Sequence, residues 1–177
     1  MNVQPADDEP AAALLALYDE ALPEVYGYVV GRCRDRSAAE EVTAEVFMAA
    51  VTSINRGRVS AVTVPWLIGI ARHKVVDHWR RSERDRRRLQ AVADDAASTP
   101  ADGGGADDWD ERIGALVAQQ VLDGLGAHHR SALVLRYVDG LPVAEVAAVL
   151  DRTVHATEAL LVRARSAFRR AYEEVAP

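Results

Sequence analysis

The sequence predicts an all-α protein built as two small helical domains joined by a flexible acidic linker, the second a three- to four-helix domain with a helix-turn-helix. Three observations carry this prediction. Apolar residues recur at helical spacing in both halves of the chain. Between them lies ADDAASTPADGGGADD, without apolar period and with three consecutive glycines. Near the C-terminus, Asp151 and Arg152 form a tight junction between two further apolar-periodic stretches. The expected domains span residues 11–90 and 109–174, with the linker at 91–108.

The first helical stretch runs from Ala11 to Val30, where Leu14, Leu17, Leu22, Val25, Tyr26 and Val29 suit helix packing. Pro23 either kinks it or begins a second helix, because proline has no backbone N–H to donate. Ser37 is the expected cap of the next helix, with Glu40 completing a capping box, and that helix should run to about Thr52. Asn55, Gly57 and Ser60 mark a loop. Pro65 fits a helix's first turn, and from Trp66 onward Leu67, Ile70, Ala71, Val75 and Trp79 can face a core while Arg72, Lys74, Arg80 and Arg84 emerge on other sides.

After the linker, Ile113, Leu116, Val117, Gln120 and Val121 form the expected inward stripe of a helix that Gly126 interrupts. A second helix includes Arg130 to Val138, with Leu133, Val134 and Tyr137 as expected core contacts. Asp139 and Gly140 make a turn, and Pro142 starts a short helix with Val143, Val146, Ala147 and Leu150 inward. Thr153 is the expected N-cap of the last helix, on which Val154, Leu161 and Phe168 share a face. The stretch from Pro142 to Leu161 has the dimensions of a helix-turn-helix, whose second helix can enter a major groove. Inert three-helix domains contain the same turn, so this spacing alone leaves DNA binding open.

Charge is distributed unevenly. The net charge is -6, yet residues 61–93 hold eight bases against three acids, while residues 1–60 hold ten acids and five bases and residues 94–112 seven acids and one base. A polyanion would be drawn to the basic stretch and repelled by much of the rest. The alternative is a helix end that arginines merely solubilise.

Other classes have less support. The single cysteine, Cys33, excludes an intrachain disulfide and a Cys-rich zinc site. His73, Asp77 and His78 do not converge at helical spacing, so neither a catalytic centre nor a metal or cofactor is expected. The first ten residues, MNVQPADDEP, lack a basic leader and apolar core, and no apolar stretch approaches the roughly 20 residues that span a bilayer. A cytoplasmic protein without membrane contact of its own is the expectation.

Four segments, in order, resemble the extracytoplasmic-function (group 4) sigma factors of bacterial RNA polymerase, in the sigma-70 family. They are AAEEVTAEVFMAA at Ala38 to Ala50, PWLIGIARHKVVDHWRR at Pro65 to Arg81, LGAHHRSALVLRYVDGLPVAEVAAVL at Leu125 to Leu150, and LVRAR at Leu161 to Arg165. The resemblance covers nearly everything from Leu14 to Tyr172. It implies a non-enzymatic protein that binds core RNA polymerase, directs it to promoter DNA and assists strand opening, with an anti-sigma protein as a further possible partner.

Residue roles follow from the resemblance alone. Glu41, Glu45 and Phe47 match the helix that docks on the polymerase's largest-subunit coiled coil, although Phe47 is equally a local core residue. Arg72, His73, Lys74, Arg80, Arg81 and Arg84 match the part that opens and holds the minus-ten element, with Asn55 and Arg56 added from the preceding loop. Trp66 and Trp79 could stack on bases, but Trp66 is assigned to the core. For minus-thirty-five recognition the matching positions are Arg130, Arg136, Arg152, His155, Thr157 and Arg163, with Arg130 and Arg136 open to either DNA contact or helix pairing within the fold. Here the chain departs from the family, with ATEALLVRAR where relatives often have TVKSRLxRAR, so Glu158 and Leu160 stand at commonly basic positions. Leu160 is expected to pack, and Arg165 to snorkel from the apolar face. The competing reading is a free-standing helix-turn-helix regulator whose first half oligomerises or senses a signal.

Overall fold

The computed structural model describes residues 9–59, 61–92 and 109–175, with side chains described except at 9, 90–92 and 109–114. All regular structure among them is helical: α1 (Glu9–Val30), α2 (Arg36–Asn55), α3 (Val64–Val92), α4 (Trp109–Gly124), α5 (Ala127–Leu133), α6 (Val143–Leu150) and α7 (Val154–Val175), with a π-helical turn at Val134–Val138 continuing α5. The chain divides into two compact units, Met1–His78 and Trp79–Pro177. The division falls within α3, so its basic tail belongs to the second unit. Of the linker expected at 91–108, residues 91 and 92 end α3 and the remainder lies outside the described residues.

In the first unit α1 packs on α2. Pro23 lies inside α1, which remains one helix. The missing N–H thus costs one hydrogen bond without ending the element. Leu14, Ala21, Val25 and Val29 supply its buried stripe, and Ala39, Val42, Val46, Ala50 and Ile54 that of α2. Each Val or Leu so buried contributes about 1.5–3 kcal/mol. Leu67, Ala71, Val75 and Val76 add the core face of α3 within this unit.

The start of α2 differs from expectation. Asp35, extended at φ -138°, is the N-cap and its carboxylate accepts the Ala38 N–H at 2.7 Å. Ser37 lies inside the helix, and Glu40 is engaged by Arg36 Nε at 2.8 Å instead of completing a capping box. Aspartate is as strong a cap as serine and adds a negative charge where the helix dipole favours it. The helix runs to Asn55, three residues past the expected end, and Gly57 at φ +65° turns the chain away.

In the second unit α7 packs against α4, α5 and α6. Leu133, Val134, Leu135, Leu141, Val146, Leu150, Leu160, Leu161 and Ala164 are buried. Leu160 therefore packs, as expected. Tyr137 and Leu116, both expected inward, are 56% and 62% exposed. Gln120 and Val154 are exposed too. The π turn explains Tyr137: with the Asp139 N–H donating to Val134 O at 2.9 Å, five residues back, the 3.6-residue phase that placed it inward is lost.

Candidate polymerase and nucleic-acid interface

The acidic helix α2 presents Glu41 to solvent, whereas Glu45 is half-buried and pairs with Lys74 of α3 at 3.6 Å. That contact ties one expected docking residue to one expected DNA residue. Phe47 is half-buried, its ring 5.0 Å from Tyr18 of α1, which favours the packing role. Met48, which sequence reasoning passed over, is 68% exposed seven residues after Glu41 and so two turns along the same side. Its signal was weak because one methionine inside an alanine-rich helix reads as core.

Asn55 and Arg56 are exposed where α2 ends. The Thr63 hydroxyl caps α3 by accepting the Trp66 N–H at 3.3 Å, and Trp66 is half-buried. Along α3, Arg72 and Lys74 are half-buried and His73 is exposed. Trp79 is buried, so it offers no free face for base stacking. Arg80 and Arg81 are half-buried, while Arg84, Arg86, Arg87 and Arg88 are exposed. The exposed arginines can each offer a planar set of donors to phosphate oxygens.

The helix-turn-helix is formed by α6, the turn at Asp151 to Thr153, and α7. Asp151 adopts the left-handed conformation at φ 53°, ψ 54°, and its N–H together with that of Arg152 closes the end of α6. Such a conformation is accessible to aspartate more readily than to most residues. The Thr153 hydroxyl then accepts the Ala156 N–H at 3.2 Å, giving α7 the expected cap. Arg152, His155, Glu158 and Arg163 are exposed on this module. Arg163 Nε also donates to Ala159 O at 3.3 Å.

Three expected DNA residues are placed differently. Thr157 is 0% exposed, and its hydroxyl donates to Thr153 O at 3.0 Å. One position per turn of α7 must face the core, and Thr157 is three residues before Leu160 and four before Leu161. Arg130 is only 7% exposed, with its guanidinium forming an ion pair with Asp123 and lying 4.4 Å from the centre of the Trp79 ring. Arg136 donates to Leu141 O at 2.9 Å and so closes the turn before α6. These two arginines hold the module together.

The same unit has an open apolar groove of about 410 Å³, lined by Leu122, Leu133, Tyr137, Val138, Phe168 and Tyr172, with Arg165 and Arg169 beside them. Arg165 is exposed while lining this groove, as a snorkelling residue would be. Among the described residues no group of three or more His, Cys, Asp or Glu is arranged to hold a metal ion. None of their helices is long and apolar enough to cross a membrane.

Comparison with known proteins assigns these two sets of helices. Residues 17–85 match the model of Sigma-70 region 2, and residues 116–168 that of Sigma-70 region 4. The chain is 30% identical over 175 residues to the ECF RNA polymerase sigma factor BldN of Streptomyces coelicolor, covering 92% of this chain and 61% of that protein. It is 31% identical over 139 residues to the ECF RNA polymerase sigma factor SigK of Mycobacterium ulcerans, covering 76% of this chain and 72% of the relative. Among solved structures, the sigma factor RpoE of Bartonella quintana, crystallised with the anti-sigma factor NepR, superposes with a TM-score of 0.54 at 20% identity over 96% of this chain and 99% of that one. That likeness concerns the fold alone. With region 2 and region 4 matched in order and two relatives similar along most of the chain, this protein belongs to the extracytoplasmic-function (group 4) sigma factors of the sigma-70 family.

Proposed function

We propose that this chain binds core RNA polymerase, directs it to promoter DNA and assists strand opening through two modules, residues 11–90 and 109–174, joined by the segment 91–108. The carrying observation is the order of the region 2 and region 4 matches on one chain, with a helix-turn-helix inside the second. In the first module Glu41 and Met48 form the polymerase-docking side of α2, with Glu45 contributing from beside Lys74. Asn55, Arg56, Arg72, His73 and the arginines from Arg80 to Arg88 serve the minus-ten element, Arg84 being exposed where Arg80 and Arg81 are half-buried. In the second module Arg152, His155 and Arg163 contact the minus-thirty-five duplex, while Arg130, Arg136 and Thr157 support them from within the fold. Glu158 stands beside the proposed phosphate contacts and lowers their strength, unless it accepts from a cytosine amino group. An anti-sigma protein that covers these surfaces is the further partner this reading brings.

Run-off transcription with reconstituted polymerase tests the proposal. Initiation from members of a broad promoter library is expected. Failure to bind core polymerase, with tight sequence-specific DNA binding by the chain alone, would replace it with the free-standing regulator.

A further inference from the structure

The first turns of α7 carry an uncommon surface for the second helix of a helix-turn-helix. From Val154 to Val162 there is no lysine or arginine, and apart from His155 the only ionisable side chain is Glu158. Glu158 is exposed. Val154 lies four residues before it and Val162 four residues after it, so the three stand one above another along the helix. Both valines are open, at 46% and 54% exposure, and neither can donate a hydrogen bond to the carboxylate. The buried stripe of α7, made by Thr157, Leu160, Leu161 and Ala164, occupies another side. An acid between two exposed valines is therefore what this part of the helix presents outward.

We propose that Glu158 reads a cytosine of the minus-thirty-five duplex, and that Val154 and Val162 contact the methyl groups of neighbouring thymines. This role rests on the sigma factor reading, which puts α7 on that duplex. In a helix-turn-helix the N-terminal residues of the second helix meet base edges in the major groove. An ionised carboxylate can only accept hydrogen bonds. Guanine offers N7 and O6 there and thymine O4, all acceptors that repel it, while adenine sets its N7 acceptor beside its N6 donor. Cytosine offers its N4 amino group with no acceptor of its own alongside. The commonest specific contact, arginine or lysine on guanine, has no side chain to make it over these turns. Arg152 and Arg163 bracket them in sequence and supply the phosphate contacts, which leaves the acid to face a base. Four residues of helix rise about 6 Å, within two base-pair steps of about 3.4 Å, so each valine meets a base pair close to that cytosine. An apolar side chain there gains by covering the thymine methyl group.

Selection from a randomised duplex library by the full chain with core polymerase, sequenced before and after, tests this. The unaltered chain should enrich cytosine about ten-fold over the other bases at one minus-thirty-five position. Glu158→Gln should turn that position, and no other, to adenine, because the glutamine amide matches adenine N6 and N7. Replacing the thymines within two steps of the cytosine by deoxyuridine removes only methyl groups. Each such replacement should weaken binding about four-fold, and the effect should vanish when Val154→Ser and Val162→Ser are combined. Base preferences unchanged in E158Q overturn the proposal, and so does a uniform gain in affinity for every sequence, which would leave Glu158 only repelling phosphates. A deoxyuridine effect of equal size in the double valine variant overturns the methyl contacts. If the unaltered chain fails to bind core polymerase, the sigma reading falls; the same selection by the chain alone then decides, through the E158Q comparison, whether Glu158 reads a base.

Discussion

The carboxylate of Glu45 lies 3.6 Å from the ammonium group of Lys74, joining the acidic helix α2 to the basic helix α3 inside the first unit. Two residues assigned to different partners by their positions in the sequence are thus partners of one another. Both side chains are roughly a quarter exposed, so solvent screens the pair and its coupling should be modest, about 0.2–1 kcal/mol.

The pair separates docking from stability. Glu41→Lys, at an exposed position, should leave the melting temperature of the chain unchanged while weakening core-polymerase affinity by ten-fold or so, about 1.4 kcal/mol. Glu45→Lys should lower both. Calorimetry beside a polymerase-binding titration checks the difference, and equal loss of stability in the two variants would contradict the assignment.

On the basic helix, replacing Arg80 and Arg81 together by alanine should impair promoter opening more than core binding. Arg84→Ala gives a cleaner reading because Arg84 is exposed while Arg80 also donates to Leu150 O. It should reduce the slope of log affinity against log salt by about one phosphate contact. An unchanged slope would remove Arg84 from the DNA surface.

In the helix-turn-helix, Arg152→Ala should weaken binding to minus-thirty-five duplex and leave folding intact. Thr157→Ala should do the reverse, costing about 1 kcal/mol of unfolding free energy through the lost bond to Thr153 O and the space left in the core. Urea unfolding and fluorescence anisotropy on both variants measure this crossover. A DNA-specific defect in Thr157→Ala would restore it to the interface.

His128, exposed near the start of α5, should make the second unit modestly sensitive to acid. Desolvation by burial, then the nearby positive charges of Arg152 and Arg80, lower its pKa from the ordinary 6.5; Glu83 opposes this and Arg87 adds to it. Folding thus favours the neutral imidazole. Its contribution is complete above the unfolded value of 6.5 and is lost as pH falls through the lowered folded value. Thermal melts from about pH 7.5 to about pH 5.5 should show a smaller drop for His128→Gln than for the unaltered chain. An identical drop in both would place the acid sensitivity elsewhere.

Local signals found the helical framework because they act over one or two turns. Pro142 before α6, Gly126 before α5 and the Thr153 cap stand where short-range chemistry put them. Competition between equally local choices explains the misplaced start of α2, where Asp35 and Ser37 are both good caps and only one can be used. Tyr137 was lost for a different reason: the π turn changes the period on which its inward placement depended.

The candidate site was legible as a set of positions and far less as a set of available side chains. Resemblance named arginines on several helices as candidates, yet Arg130 is buried, and Arg136 closes a turn. Glu83 had no local signal at all. An acid among arginines looks like an ordinary helix pair, and Arg87 does engage it, while its contact with the Ala127 amide spans forty-four residues.

By itself the sequence determined the helices, their order, the acidic break between two apolar-periodic regions, the basic stretch before that break, and through four ordered segments the family. Those properties depend on spacing and composition within a few turns of chain. Only the tertiary structure decided which charges remain open to a partner, because burial and pairing depend on what distant helices bring alongside. Glu45 with Lys74, Trp79 with Arg130, and Glu83 at the start of α5 are all decisions of that kind, made by packing between residues too far apart for any local pattern to connect.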